Sequence, residues 1–303
     1  FADTPLISER GALHVFAPGD EARARKIAED FGRDIAGVRL LGRNELLDRV
    51  PVLRPERVAG AVSDPECRDM DVAAIHQGFL RRARAAGARL LTDARVSWLA
   101  RSGDRWRIRL ADGREIAARA VVNAAGAWVD EVARMAELAP LGFQPLRRTI
   151  IVFRPAHATV DSGWPLVIDI DESFYFKPET GRILASPADE TPSPPCDAQP
   201  DVIDIATIVD RLERWTVFDV PRIENRWAGL RTFAPDRVPV VGEDPRSAGF
   251  FWCAGQGGYG IQTAPAMGRL TAAVVLGRDL PSDLSAAGVD PARYAPARLL
   301  KKG

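Results

Sequence analysis

The sequence predicts an α/β protein made of a discontinuous nucleotide-type domain and a sheet-rich second domain. Three observations predict it. An apolar run at 250–253 enters a loop holding Gly255, Gly257, Gly258 and Gly260, and a helical segment follows over 261–276. A second buried run at 120–122 ends in Asn123, Ala124, Ala125 and Gly126 and passes into a helix over 127–138. Just before it, runs at 95–100, 105–110 and 115–117 are separated by Ser102-Gly103-Asp104 and Asp112-Gly113, which read as hairpin turns. Strand, small-residue turn and helix, repeated and carrying an inserted meander, is the pattern of a three-layer nucleotide-binding domain.

The remaining elements follow in order. A mixed run at 11–16 predicts a strand, and 21–31 predicts a helix with Ile27 and Phe31 on one side. A short helix over 44–50 stops at Pro51. Residues 58–62 predict a strand. Asp69 or Asp71 can cap the next helix, 72–86, which Gly87 ends. That helix carries Ile75, Phe79 and Leu80 on one face and Arg81, Arg82 and Arg84 on a solvated face. A strand is predicted at 89–91. After Pro140, strands are predicted at 149–153, 166–170, 174–177 and 182–185, with Thr180-Gly181 as a hairpin turn. The Pro-, Asp- and Ser-rich stretch 188–200 is a loop. An amphipathic helix over 203–217, a strand over 222–232 and a buried strand at 239–242 lead back to the glycine loop.

Composition narrows the partners. The chain has 303 residues, with 41 basic and 41 acidic side chains and no net charge, which argues against nucleic acid as the main partner. Cys67, Cys196 and Cys253 are as scattered as His14, His76 and His157. They form neither a disulfide framework nor a metal-ligand spacing, so no metal and a reducing, cytoplasmic setting are expected. No apolar run approaches the roughly 20 residues of a membrane span. The chain opens on Phe1 rather than Met.

The glycine loop carries the chemistry. A strand, a glycine turn and a helix N-terminus together favour negative charge, and the missing Cβ atoms let backbone approach a flat ligand. Arg231, in Trp227-Ala-Gly-Leu-Arg-Thr-Phe233, closes a predicted strand, where it is either a fork for a carboxylate or an ion-paired surface Arg. Tyr175 alternates with Phe174 and Phe176, so it faces away from them. Arg148 shares its strand parity with Ile150 and Val152, opposite to Arg147. Cys253 reads as a buried apolar residue, and nothing supports hydrolytic chemistry.

The chain resembles the D-amino-acid-oxidase-like FAD-dependent oxidoreductases. The likeness is carried by 71–91, by Val121-Val-Asn-Ala-Ala-Gly-Ala-Trp128 and by 255–268, and it runs over nearly all of the chain. The narrower likeness is to the D-arginine-oxidising members, through 51–53, 76–78, 171–178, 227–231 and 256–263. The resemblance implies a glutathione-reductase-like FAD-binding domain over 64–142 and 238–303, missing its first βαβ unit. It also implies an antiparallel-sheet substrate domain over 1–63 and 143–237. FAD would be contacted by Val96, Asn123, Ala124, Ala125, Gly126, Trp128 and Gly229, and by Gln256, Gly257, Gly258, Tyr259, Gly260, Ile261 and Gln262. Arg231 and Tyr175 would bind the substrate carboxylate, with Arg148 near the same pocket. The implied reaction is oxidation of the Cα–N bond of a small-molecule D-amino acid. The imino acid formed hydrolyses to keto acid and ammonia, and oxygen or a quinone takes the electrons.

Two departures from the family pattern sharpen these expectations. The opening strand, Gly-x-Gly-x-x-Gly turn and ribose-binding acid of the family are not among these residues. This polypeptide alone is therefore expected to hold FAD weakly, and apolar faces of its parallel sheet to be exposed. The stretch matching 10–15 lacks the carboxylate that would receive a substrate guanidinium, so neutral D-amino acids are expected over D-Arg. The rival readings are a secondary-amine oxidase of the glycine or sarcosine type and a truncated, non-catalytic remnant. His14 is a candidate proton acceptor.

Overall fold

A computed structural model describes residues 1–300. The chain divides into two units, one of Phe1–Ala88, Arg148–Glu190 and Ala198–Gly229, the other of 89–147, 191–197 and 230 onward.

In chain order, the first stretch holds β1 (Ile7–Glu9), β2 (Ala12–Phe16), α1 (Glu21–Phe31), β3 (Arg39–Gly42), α2 (Arg43–Arg49), β4 (Gly60–Asp64), β5 (Arg68–Met70) and α3 (Val72–Ala85). Next come β6 (Val96–Ser102), β7 (Arg105–Leu110), β8 (Glu115–Ala118), β9 (Val121–Asn123) and α4 (Val129–Met135). The middle holds β10 (Gln144–Phe153), β11 (Leu166–Asp169), β12 (Tyr175–Glu179), β13 (Arg182–Ser186), β14 (Thr191–Pro192), α5 (Val202–Trp215) and β15 (Ile223–Phe233). The chain closes with β16 (Val240–Glu243), β17 (Phe250–Ala254), α6 (Gly260–Leu276) and α7 (Ser282–Ala286).

The first unit is built on a sheet in the order β10-β13-β12-β11-β2-β4-β3, with β15 also paired to β10. Its neighbours are antiparallel except β11 and β2, which run parallel. Alternation divides the sheet cleanly. Leu13, Val15, Ile151, Phe153, Val167, Phe176, Ile183 and Ala185 enter one core with Ile205, Ile208 and Leu212 of α5. Their in-between neighbours Ile150, Ile168, Tyr175, Lys177 and Leu184 lie on the opposite face and are half-buried. Asp201 caps α5 by accepting from the Ile203 N–H, and Asp71 caps α3 by accepting from Ala74.

The second unit holds two small sheets. β6, β7 and β8 form the antiparallel meander. β17 lies between β16, antiparallel, and β9, parallel, with Phe250 opposite Val121 and Trp252 opposite Asn123. Its core joins Leu99 and Trp106 of the meander to Val129, Phe143, Phe250 and Trp252. Buried Asp244 anchors this sheet: its carboxylate accepts from Trp252 Nε1 at 2.9 Å and from Arg246. Val122 on β9 is 42% exposed.

Several elements differ from the sequence reading. Residues 89–91 form no strand, since an apolar triplet becomes one only beside a ladder partner, and Leu90 and Leu91 are exposed. The helix expected over 127–138 splits into a 3₁₀ turn at Gly126–Trp128 and the shorter α4. β1, β3 and β5 were not anticipated. The loop at 188–200 contains the two-residue β14. Residues 64–88 fall in the first unit, because β1 pairs with β5 from Ile7↔Met70 to Glu9↔Arg68. The sequence reading placed that stretch with 89–142.

Candidate functional site

In the second unit, β9 and β17 run parallel as neighbours, and each ends in a small-residue turn that opens a helix. Ligands of open α/β sheets bind outside such carboxyl ends. After β9, Asn123 is buried, its Nδ2 donating to the Val129 carbonyl at 2.8 Å and its Oδ1 accepting from Ala125. Its side chain therefore shapes the turn from inside. Ala124, Gly126 and Trp128 are exposed, and a Cβ on Gly126 would meet nothing within 4 Å. Val96, at the start of β6, packs half-buried against the core of this unit.

After β17, the bend runs Gly255-Gln256-Gly257-Gly258-Tyr259 into α6. The N-terminus of α6 carries no side-chain cap and no acidic residue in its first turn. Its dipole and free-ended N–H groups thus favour electron-rich ligand atoms. Tyr259, Ile261 and Gln262 are exposed and Gly260 half-buried. Gln256 Nε2 reaches the Cys253 thiol sulfur at 3.7 Å, which also receives the Thr271 hydroxyl at 3.3 Å.

The glycines of this bend have a use that sequence reasoning missed. A Cβ on Gly255 would stand 2.8 Å from Phe143, one on Gly257 would stand 2.7 Å from Phe233 Cδ1, and one on Gly258 would stand 2.7 Å from Arg231 Cζ. The missing Cβ atoms admit the protein's own side chains beneath the bend. Open space is found instead at Gly126 and Gly229. Phe143 is held by Asp130, whose carboxylate accepts from the N–H groups of Leu141, Gly142 and Phe143 at 2.9–3.2 Å. Burial nevertheless pushes the Asp130 carboxyl up.

Arg231 therefore lies against the bend. Phe233 is the residue the sequence reading overlooked. It shares strand parity with Arg231, the one available signal, and its backbone bridges to Gln256.

The first unit brings Arg148 and Tyr175 together on the half-buried face of its sheet, with Arg148 Cζ 5.9 Å from the Tyr175 ring centre. Arg148 Nε donates to the Asp189 carbonyl at 2.9 Å, and its guanidinium lies within 4.0 Å of the Asp189 and Glu190 carboxylates. Burial pushes the Asp189 carboxyl up, and Asp204 nearby adds to the rise. His14 lies on the same face, in register with Ile168, which in turn pairs with Tyr175; its ring meets Phe31 of α1 edge-on at 5.1 Å, and burial lowers its pKa.

Among the described residues, no group of three His, Cys, Asp or Glu can hold a metal ion, and no helix is long and apolar enough to cross a membrane.

Comparison with known proteins agrees with this layout. The family model described as FAD dependent oxidoreductase, DAO, matches residues 2–274. An uncharacterized oxidoreductase, YurR, of Bacillus subtilis is 31% identical over 183 residues, covering 57% of this chain and 46% of its own length. Glycine oxidase of Geobacillus kaustophilus is 26% identical over 283 residues, covering 91% of this chain and 72% of that protein. The solved structure of glycine oxidase from the same organism superposes with a TM-score of 0.82 at 23% identity, covering 98% of this chain and 76% of that one. The chain spans less than half the length of YurR. FAD is the cofactor of this family, and the residues here fit a flavin: two parallel strand ends with small-residue turns, open space at Gly126, and an uncapped helix N-terminus.

Proposed function

The chain belongs to the DAO family of FAD dependent oxidoreductases, and from that premise we propose that it oxidises the Cα–N bond of D-amino acids with neutral side chains. The observation that carries the reading is the Arg231 guanidinium set against Gly258 at the bend. A planar guanidinium fixed there grips a carboxylate through two parallel N–H bonds and so holds the substrate Cα in one orientation. FAD, when bound, supplies the two-electron acceptor for the hydride that leaves Cα. The N-terminus of α6 favours negative charge in its neighbourhood. The imino acid then takes up water and releases ammonia and a keto acid. Tyr175 and Arg148 are proposed as further substrate contacts, and the electrons pass to oxygen or a quinone.

The neutral side chain is proposed because the stretch 10–15 brings no carboxylate to β2, while Glu9 is exposed on β1. A second reading, oxidation of glycine or N-substituted glycines, is favoured by the likeness to glycine oxidase. One experiment separates them. Keto acid and ammonia are measured at saturating FAD, with oxygen and then a quinone, from D-Leu, D-Met, D-Phe, D-Arg, glycine and sarcosine. The proposal expects the highest kcat/KM among D-Leu, D-Met and D-Phe. A large D-Arg preference overturns the side-chain assignment, a glycine or sarcosine preference selects the second reading, and no turnover of any amine leaves a non-catalytic chain.

A further inference from the structure

We propose that Phe233 is a positioning residue whose ring, pinned by Arg237, aims the Arg231 guanidinium at the substrate carboxylate. The inference rests on the carboxylate-grip reading of Arg231 and adds to it what holds that side chain in place.

Four observations in the second unit carry it. Arg231 and Phe233 are two apart on β15, so both project from one side of the strand. That side meets the bend in step: Phe233 fills the place of a Gly257 Cβ and Arg231 that of a Gly258 Cβ. The Phe233 ring centre lies 5.5 Å from Arg231 Cζ and 3.9 Å from Arg237 Cζ, so one ring contacts two guanidinium groups. Finally, the Arg237 end is itself anchored. Arg237 sits in the left-handed region at φ 60°, its N–H donating to the Ala234 carbonyl at 2.9 Å. Arg298 clamps the neighbouring Asp236 with Nε at 2.7 Å and donates from Nη2 to the Val238 carbonyl at 2.6 Å.

The physical consequence is preorganisation. A free Arg side chain spreads over many rotamers, and gripping a ligand costs the entropy of choosing one. Phe233 is 4% exposed, so its ring cannot swing out to water. A ring fixed between Gly257 and the Arg237 guanidinium leaves Arg231 a narrow set of directions before any ligand arrives.

The test is calorimetric titration of the full chain with propionate, and with propionamide as its uncharged mimic. Wild type is expected to prefer propionate. Phe233→Leu is expected to weaken propionate binding roughly tenfold and Arg237→Met about threefold, with propionamide unchanged in both. A wild type without preference for propionate overturns the carboxylate-grip reading itself. If that preference is present and both variants bind propionate as tightly as wild type, the positioning role alone is overturned. Equal weakening toward both ligands also overturns it, since Phe233 is then packing only. Should Phe233→Leu fail to fold, as judged by its thermal transition, the exposed Arg237→Met decides the matter in the same way.

Discussion

The guanidinium of Arg231 and the α-carbon of Gly258 are in direct contact: a methyl group on that carbon would stand 2.7 Å from Cζ and 2.8 Å from Nε. Gly258 has no left-handed backbone requirement, and the atoms nearest a Cβ there all belong to Arg231. Gly258→Ala is therefore expected to fold normally and to displace the guanidinium. KM for an amino acid substrate should rise about tenfold with a smaller change in kcat, the signature of lost carboxylate binding. Steady-state kinetics with a normal melting curve checks it, and an unchanged KM contradicts the placement.

Gly126 and Gly257 offer a matched pair. Both are left-handed, at φ 56° and 55°, so alanine meets similar backbone strain at each. Only Gly257 has a side chain, Phe233, where the Cβ must go. Gly257→Ala is expected to be the less stable by about 1–3 kcal/mol, the cost of overpacking. Urea unfolding of the two variants measures the difference. Gly126→Ala should instead show its effect in flavin retention, because its Cβ enters open space.

Much of this arrangement was legible in the sequence, and the reason is locality. The runs leading into Ala124 and Gly255 are short, apolar and followed at once by small residues and helix, so both crossings could be read directly. Asp71 as a cap and the facing of Tyr175 followed from neighbours within a few positions. β1 and β5 were not legible because they exist only through pairing with each other, Ile7 with Met70. The packing partner of Gly257 was not legible for a related reason. Its glycine pattern suggests an approach to a ligand but does not show Phe233 beneath it, brought there by a distant strand.

Removing the Arg231 fork should cost more than displacing it. Arg231→Met deletes every donor while keeping much of the stem volume, and charged hydrogen bonds contribute about 1.5–3 kcal/mol each. The expected loss in kcat/KM is roughly 100-fold for a carboxylate substrate. Arg231→Lys should recover only part of it, since an ammonium cannot form the planar pair of bonds. Full recovery with Lys would show that charge, rather than fork geometry, holds the substrate.

His14 provides a pH test read from stability. Its ring packs on Phe31, and burial lowers its pKa despite the opposing charges of Asp64 and Glu172. In the unfolded chain the imidazole binds a proton near its ordinary pKa of about 6.5, while the folded chain binds it only at lower pH. The unfolded state therefore holds more protons in that window, and stability falls as pH falls through it. Above about pH 6.5 both states are neutral and the full stability is present. The buried carboxyls of Asp130 and Asp189 act oppositely, because their raised pKa values make the folded state the better proton acceptor at more acidic pH. Unfolding midpoints between about pH 7.5 and 5.5 should decline for wild type and stay flatter for His14→Leu, with the two curves diverging as pH drops. Parallel curves would mean that His14 takes up its proton as easily in the folded chain as outside it.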